Sequence, residues 1–196
     1  MLVYVDDLVI TGSDNQFIGH VVNTLGARFS LKDMGLLHYF LGVEVIPTTA
    51  GLFLSQHKYV RDILETQNMV SAKEISTPLS TTQSLHLLDG ITSTDNTEYR
   101  RIIGNLQYLS LTRPNICFAI NKLSQFMHKP TVTHWVATKR LLCYLKQTIF
   151  HGIHIRKAAA PCLTTYSDVD WAGNINDRTS TSAYITFLGC NPISWS

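Results

Sequence analysis

Two adjacent carboxylates, Asp6 and Asp7, are the side chains in this sequence best placed to do chemistry. Leu2-Val3-Tyr4-Val5 runs into them and Leu8-Val9-Ile10 follows. Short apolar runs on either side of two turn-prone residues predict a β-hairpin with the carboxylates at its tip. Neither run alternates with polar residues, so both faces are expected to be covered by other parts of a protein. Asp-Asp is a poor tight turn, where Asn-Gly or Asp-Gly would relieve a positive φ. Adjacent carboxylates also repel, and one tends to stay protonated unless a cation is shared. No basic residue lies nearby in sequence. Two acids held on a rigid, buried hairpin suit a hard divalent ion such as Mg²⁺. The plain alternative is a solvated turn, and most acidic pairs at turns bind nothing; the apolar flanks favour the metal, because a solvated turn needs no buried strands.

The other reactive side chains are scattered. Cys117, Cys143, Cys162 and Cys190 fit no zinc spacing and read as reduced, mostly buried thiols with no disulfide partner. The eight histidines form no ligand spacing; His151 and His154 are most simply alternating strand residues. Glu44 is a lone acid in a strand and stays outside the site. Seven cations, Arg100, Arg101, Arg113, Lys122, Lys139, Arg140 and Lys146, fall on one helical region. On the outer faces of helices such charges usually only solubilise.

The elements that must position these groups follow from periodicity. Ser13 is a plausible cap for an amphipathic helix over 14–27, with Phe17, Val21, Val22, Leu25 and Phe29 forming a stripe expected to pack on the hairpin. Residues 37–46 predict a strand, 47–51 a turn and Leu52–Leu54 a return strand. Ser55 then caps a helix carrying Tyr59, Val60, Ile63 and Leu64 on one face. Residues 70–97 are rich in Ser and Thr, with Pro78 and an Asp89-Gly90 turn; their leucines predict a partly docked linker. From 98 to 148 three helical stripes follow, broken by Pro114 and Pro130, the third capped by Thr133 and including Val136. Strands are predicted at 151–155, 163–168, 182–188 and 192–196. The fold class is α+β, in antiparallel hairpins plus helices.

Composition sets bounds. The chain has 196 residues, of which 45% are hydrophobic, enough for a real core. Charged residues are 15% and the net charge is +2, so any basic groove must come from local clustering. No apolar run reaches the ~18 residues of a membrane span, and the N-terminus does not read as a signal peptide. An intracellular protein is expected, in the cytoplasm, the nucleus or an organelle.

Several blocks carry a resemblance. Tyr4-Val5-Asp6-Asp7 between apolar strands resembles the palm hairpin of reverse transcriptases. It is followed in order by Phe29–Gly35, Tyr39–Val45, Gly51–Gln56, Ser76-Thr77-Pro78-Leu79, Leu109–Pro114 and Ser167-Asp168-Val169-Asp170-Trp171-Ala172-Gly173. Together these resemble the polyprotein of a copia-type LTR retrotransposon over nearly the whole chain.

The resemblance implies a partial reverse-transcriptase palm at 1–69, a linker or surface loop at 70–97, a helical thumb/connection at 98–150 and an incomplete ribonuclease H-like domain at 151–196. It implies Mg²⁺ or Mn²⁺ bound by Asp6 and Asp7 for nucleotidyl transfer, and Asp168 as the first metal-binding acid of ribonuclease H. Asp170 has no ligand role in that pattern. The implied partners are an RNA/DNA template–primer duplex and a dNTP, with no membrane. Arg100, Arg101, Arg113, Lys139, Arg140 and Lys146 become candidates for contact with the duplex backbone. The pattern also requires an earlier palm aspartate, the fingers and later ribonuclease H carboxylates, which this sequence does not supply. The expectation is therefore a polymerase remnant, inactive alone. The alternatives are a non-catalytic duplex-binding module and a genomic remnant without function.

Overall fold

Two helices of this chain, Asn15–Arg28 and Asn96–Leu109, start at an aspartate whose side chain satisfies free backbone N–H groups. In the computed structural model, which describes residues 1–82, 85–87, 95–157, 161–174 and 178–196, Asp14 caps α1 (Asn15–Arg28). Its carboxylate accepts from the N–H groups of Gln16 and Phe17 at 2.8 and 3.2 Å, so the cap lies one residue beyond the expected Ser13. Before it, β1 (Leu2–Tyr4) and β2 (Asp7–Val9) form an antiparallel hairpin with Leu2 opposite Val9 and Tyr4 opposite Asp7. β3 (Tyr39–Phe40) closes this first unit, Met1–Phe40. No residue of α1 is buried, and Phe17 is 64% exposed. The expected burial of the stripe is not made.

Residues Leu41–Ser196 form the second unit. The strand expected over 37–46 is broken at Leu41 and Gly42, which both have positive φ (48° and 71°) and make a turn. β4 (Val43–Thr48) and β5 (Gly51–Ser55) then pair as a hairpin, with Pro47 and Thr48 inside the strand rather than in the turn. β6 (Gly152–Arg156) pairs with β5, Ser55 opposite Gly152. Glycine is required at 152, because a Cβ there would run into the Leu54 carbonyl. The sequence groups β6 with the C-terminal strands; its hydrogen bonds place it in the sheet of β4 and β5.

The core lies among the helices. α2 (His57–Thr66) buries Val60, Ile63 and Leu64; its N-cap is Gln56, one residue after the expected Ser55, whose hydroxyl accepts from the His57 N–H at 3.2 Å. α3 (Asn96–Leu109) starts at Asp95, which accepts from Glu98 N–H, and buries Tyr99, Ile102, Ile103, Leu106 and Leu109. A 3₁₀ turn, Pro114–Ile116, leads into α4 (Cys117–Ser124). α5 (Val132–Gln147) starts at Thr131, two residues before the expected Thr133. The reason is His134: its Nδ1 accepts from the Thr131 N–H at 3.0 Å, an imidazole version of the capping box. Val136 faces outward, 55% exposed, while Leu141, Leu142 and Leu145 are buried.

β7 (Leu163–Asp170), β8 (Thr181–Leu188) and β9 (Asn191–Trp195) form an antiparallel sheet in that order. The Asn191 amide ties it to β6, accepting from Arg156 N–H (2.7 Å) and donating to Arg156 O (2.8 Å). The Trp195 indole donates to Ser110 O at the end of α3.

The described part of the linker docks as expected. Leu79 and Leu85 pack on the core. Lys146 Nζ donates to Ala72 O, Arg140 donates to the Thr77 hydroxyl and His134 Nε2 donates to His86 O. Ala72, Thr77 and His86 therefore meet α5 in an order antiparallel to it. The Asp89-Gly90 turn, Leu88 and Ile91 lie outside the described residues.

Candidate functional site

Both acids sit at the tip of the hairpin, one in its loop and one at the first residue of the return strand. Val5 and Asp6 form the two-residue loop, with Val5 at φ 47°, and Asp7 opens β2. Both carboxylates are exposed. The apolar flanks expected to be covered are not: Leu2 is 54% exposed and Val3 58%. Among the described residues no three His, Cys, Asp or Glu side chains converge as a metal site. Two exposed carboxylates could hold one Mg²⁺ or Mn²⁺ whose remaining positions go to water or phosphate oxygens, but among the described residues no third acid joins them to complete a two-ion cage.

Asp168 lies on β7 opposite Ala183, exposed, with Oδ1 accepting from the Val169 N–H at 2.9 Å. β7 runs two residues further than predicted, which puts Asp170 on the same face as Asp168. The Asp170 carboxylate lies over Gly173, where a Cβ would collide with it. Glu44 is not free either: it accepts from Lys58 N–H at 3.0 Å, a negative charge at the N-terminus of α2.

The six cations divide sharply. Arg113 is 2% exposed, not on an outer face. Its guanidinium donates to Thr148 O (3.0 Å), the Thr148 hydroxyl (2.6 Å) and Asn115 Oδ1 (3.2 Å), and burial pushes its pKa down. It clasps the end of α5 to the turn after α3 and is unavailable to a phosphate. Arg140 and Lys146 are engaged by residues 72–77. Arg100 donates to Met127 O but stays exposed. Arg101, with a loose 3.9 Å pair to Glu98, and Lys139 face solvent. The buried role of Arg113 had one signal in the sequence, a Thr-Arg-Pro step between two apolar helices. Cys117 is buried, which pushes its thiol pKa up, but Cys162 and Cys190 are exposed, so the thiols are not mostly buried; all four are free. No described helix is long and apolar enough to cross a membrane.

Comparison with known proteins gives these sites a context. A family model described as reverse transcriptase (RNA-dependent DNA polymerase) matches residues 1–81. The retrovirus-related Pol polyprotein from transposon RE2 of Arabidopsis thaliana is 50% identical over 196 residues, all of this chain and 14% of its own length. A protein of the same plant, titled an uncharacterized mitochondrial protein, is 44% identical over 199 residues, covering all of this chain and 81% of its own. The chain belongs to the copia-type retrotransposon polyprotein family. The Pol polyprotein from transposon TNT 1-94 of Nicotiana tabacum, 34% identical over 204 residues, extends that copia-type likeness across the whole chain. The chain spans about a seventh of the length of the copia-type Pol polyproteins it matches. No solved structure matches it significantly.

Proposed function

We propose that this chain is the part of a copia-type Pol polyprotein that runs from the second half of the reverse-transcriptase palm, through the thumb/connection, into the start of ribonuclease H. On this reading residues 1–69 are palm, 70–97 the linker, 98–150 the thumb/connection, and β7–β9 within 151–196 the opening strands of ribonuclease H. In the whole polyprotein Asp6 and Asp7 would contribute to the polymerase acids and Asp168 to those of ribonuclease H. The template–primer duplex and dNTP are the partners of that larger enzyme. The carrying observation is 50% identity to a Pol polyprotein along the entire chain, with Asp6-Asp7 held at the turn of the hairpin.

Alone, the polypeptide does not polymerise, because among the described residues no third acid joins Asp6 and Asp7 to hold the reacting oxygens in line. Primer extension on a primed RNA template, with Mg²⁺ or Mn²⁺ and all four dNTPs, is expected to give no product. Product that disappears on Asp6→Asn would overturn this.

A second reading, a non-catalytic duplex binder, is favoured by the exposure of Arg100, Arg101 and Lys139. It predicts a mobility shift with an RNA/DNA duplex that weakens steeply with salt, with a shallower salt slope for Lys139→Ala. Binding unaffected by both salt and that substitution would remove it.

A further inference from the structure

The motif Ser76-Thr77-Pro78-Leu79 is left over by the functional reading, and its surroundings are specific. Of the six prolines, only Pro78 follows a hydroxyl residue. Thr77 is exposed and lies in a stretch without helix or strand, and a residue before proline is held extended. Its hydroxyl accepts a 2.7 Å hydrogen bond from one terminal nitrogen of Arg140. The Nε of the same guanidinium is buried and has no partner among the described residues. Among the described residues, half of a donor fork built for two oxygens is therefore filled by one hydroxyl and the other half meets no acceptor. A buried donor left unpaired is costly, and an oxyanion on Thr77 would fill it.

We propose that Thr77 is the acceptor site of a proline-directed serine/threonine kinase, and that the phosphorylated residue locks residues 72–82 onto α5 through Arg140. The γ-phosphoryl of MgATP passes to Thr77 Oγ1: the new O–P bond forms, the bond from Pγ to the ADP oxygen breaks, and the hydroxyl proton leaves to the kinase's base. The product carries about two negative charges and three acceptor oxygens. Two of those oxygens match the side-on pair of Nε and a terminal nitrogen, the geometry in which arginine binds phosphate most strongly. The contact is the middle one of three along α5, between Lys146 on Ala72 and His134 on His86. Strengthening it tightens the whole segment. The inference does not depend on the polymerase reading.

The full chain is incubated with MgATP and a proline-directed kinase, beside a synthetic peptide of residues 73–82 as control. One phosphoryl group on Thr77, lost in Thr77→Ala and in Pro78→Ala, is expected. Limited proteolysis between residues 70 and 82 should then slow severalfold, and Arg140→Gln should accept the phosphoryl group without gaining protection. A peptide that is phosphorylated while the folded chain is not, or protection that survives Arg140→Gln, would overturn the proposal. If Arg140→Gln does not fold, ³¹P NMR of the phosphorylated wild-type chain decides: the second phosphate ionisation should move to lower pH than in the phosphopeptide, and an unmoved titration rejects the clamp.

Discussion

The hairpin unit and the helical core of this chain are equally apolar to read and entirely unlike in burial. Within Met1–Phe40 no residue is buried, although Leu2, Val3, Tyr4, Phe17 and Phe29 would suit a core. Within α3 alone five residues are buried, four of them with no exposed surface. Hydropathy shows that a surface is apolar; only a neighbour at the right place covers it. The hairpin residues of a copia-type polyprotein are read correctly as strands and wrongly as covered within this stretch of chain.

The contrast makes a first prediction. Leu106→Ala should lower unfolding free energy by about 2–5 kcal/mol, whereas Val3→Ala should change it by under about 0.5 kcal/mol, both measured by urea denaturation. Equal effects would mean that the hairpin has a core of its own. The next concerns alkali. Burial pushes the Tyr99 hydroxyl, which donates to Leu123 O at 2.9 Å, up to about 12 from 10.0. A raised acid pKa means the unfolded chain loses its proton first, so stability is full below pH 10 and falls as pH rises towards 12. The loss attributable to this group is at most about 3 kcal/mol, read as the slope difference between wild type and Tyr99→Phe over that range. A parallel pH dependence for the two chains would place Tyr99 outside the cooperative core. The smallest effect belongs to the first unit. Asp14→Ala should weaken α1 by about 1 kcal/mol, visible as faster amide exchange in residues 15–20 with no shift of the denaturation midpoint. A shifted midpoint would show that α1 melts with the core.

Periodicity made the helices legible: the stripe predicted in α3 is buried throughout, and that in α2 is buried at Val60, Ile63 and Leu64 with Tyr59 half-buried, because a 3.6-residue repeat leaves one face to cover. Boundaries were less legible. Helix α5 starts at Thr131 because of a histidine cap, and a Thr-x-x-His step is weak evidence for a helix start. The break at Leu41-Gly42 was hidden because leucine rarely adopts positive φ. At the candidate sites, Asp6, Asp7 and Asp168 were legible by motif and sit where hairpin and strand were expected. The fate of the cations was not. Arg113 and Arg140 look like surface charge in sequence, yet their partners Thr148 and Thr77 are 35 and 63 residues away. Long-range hydrogen bonds of this kind leave no periodic trace.

The pairing of β5 with β6 has a consequence for shortened copies of such elements. These neighbours in the sheet bracket residues 56–151, so helices α2 to α5 are one large insert between two strands that touch. A reading frame interrupted just before Gly152 would retain all five helices and still strip the sheet of its closing partner, leaving β5 as a raw margin open to any other strand. Damage at one point of the gene is thus felt at a place encoded far upstream.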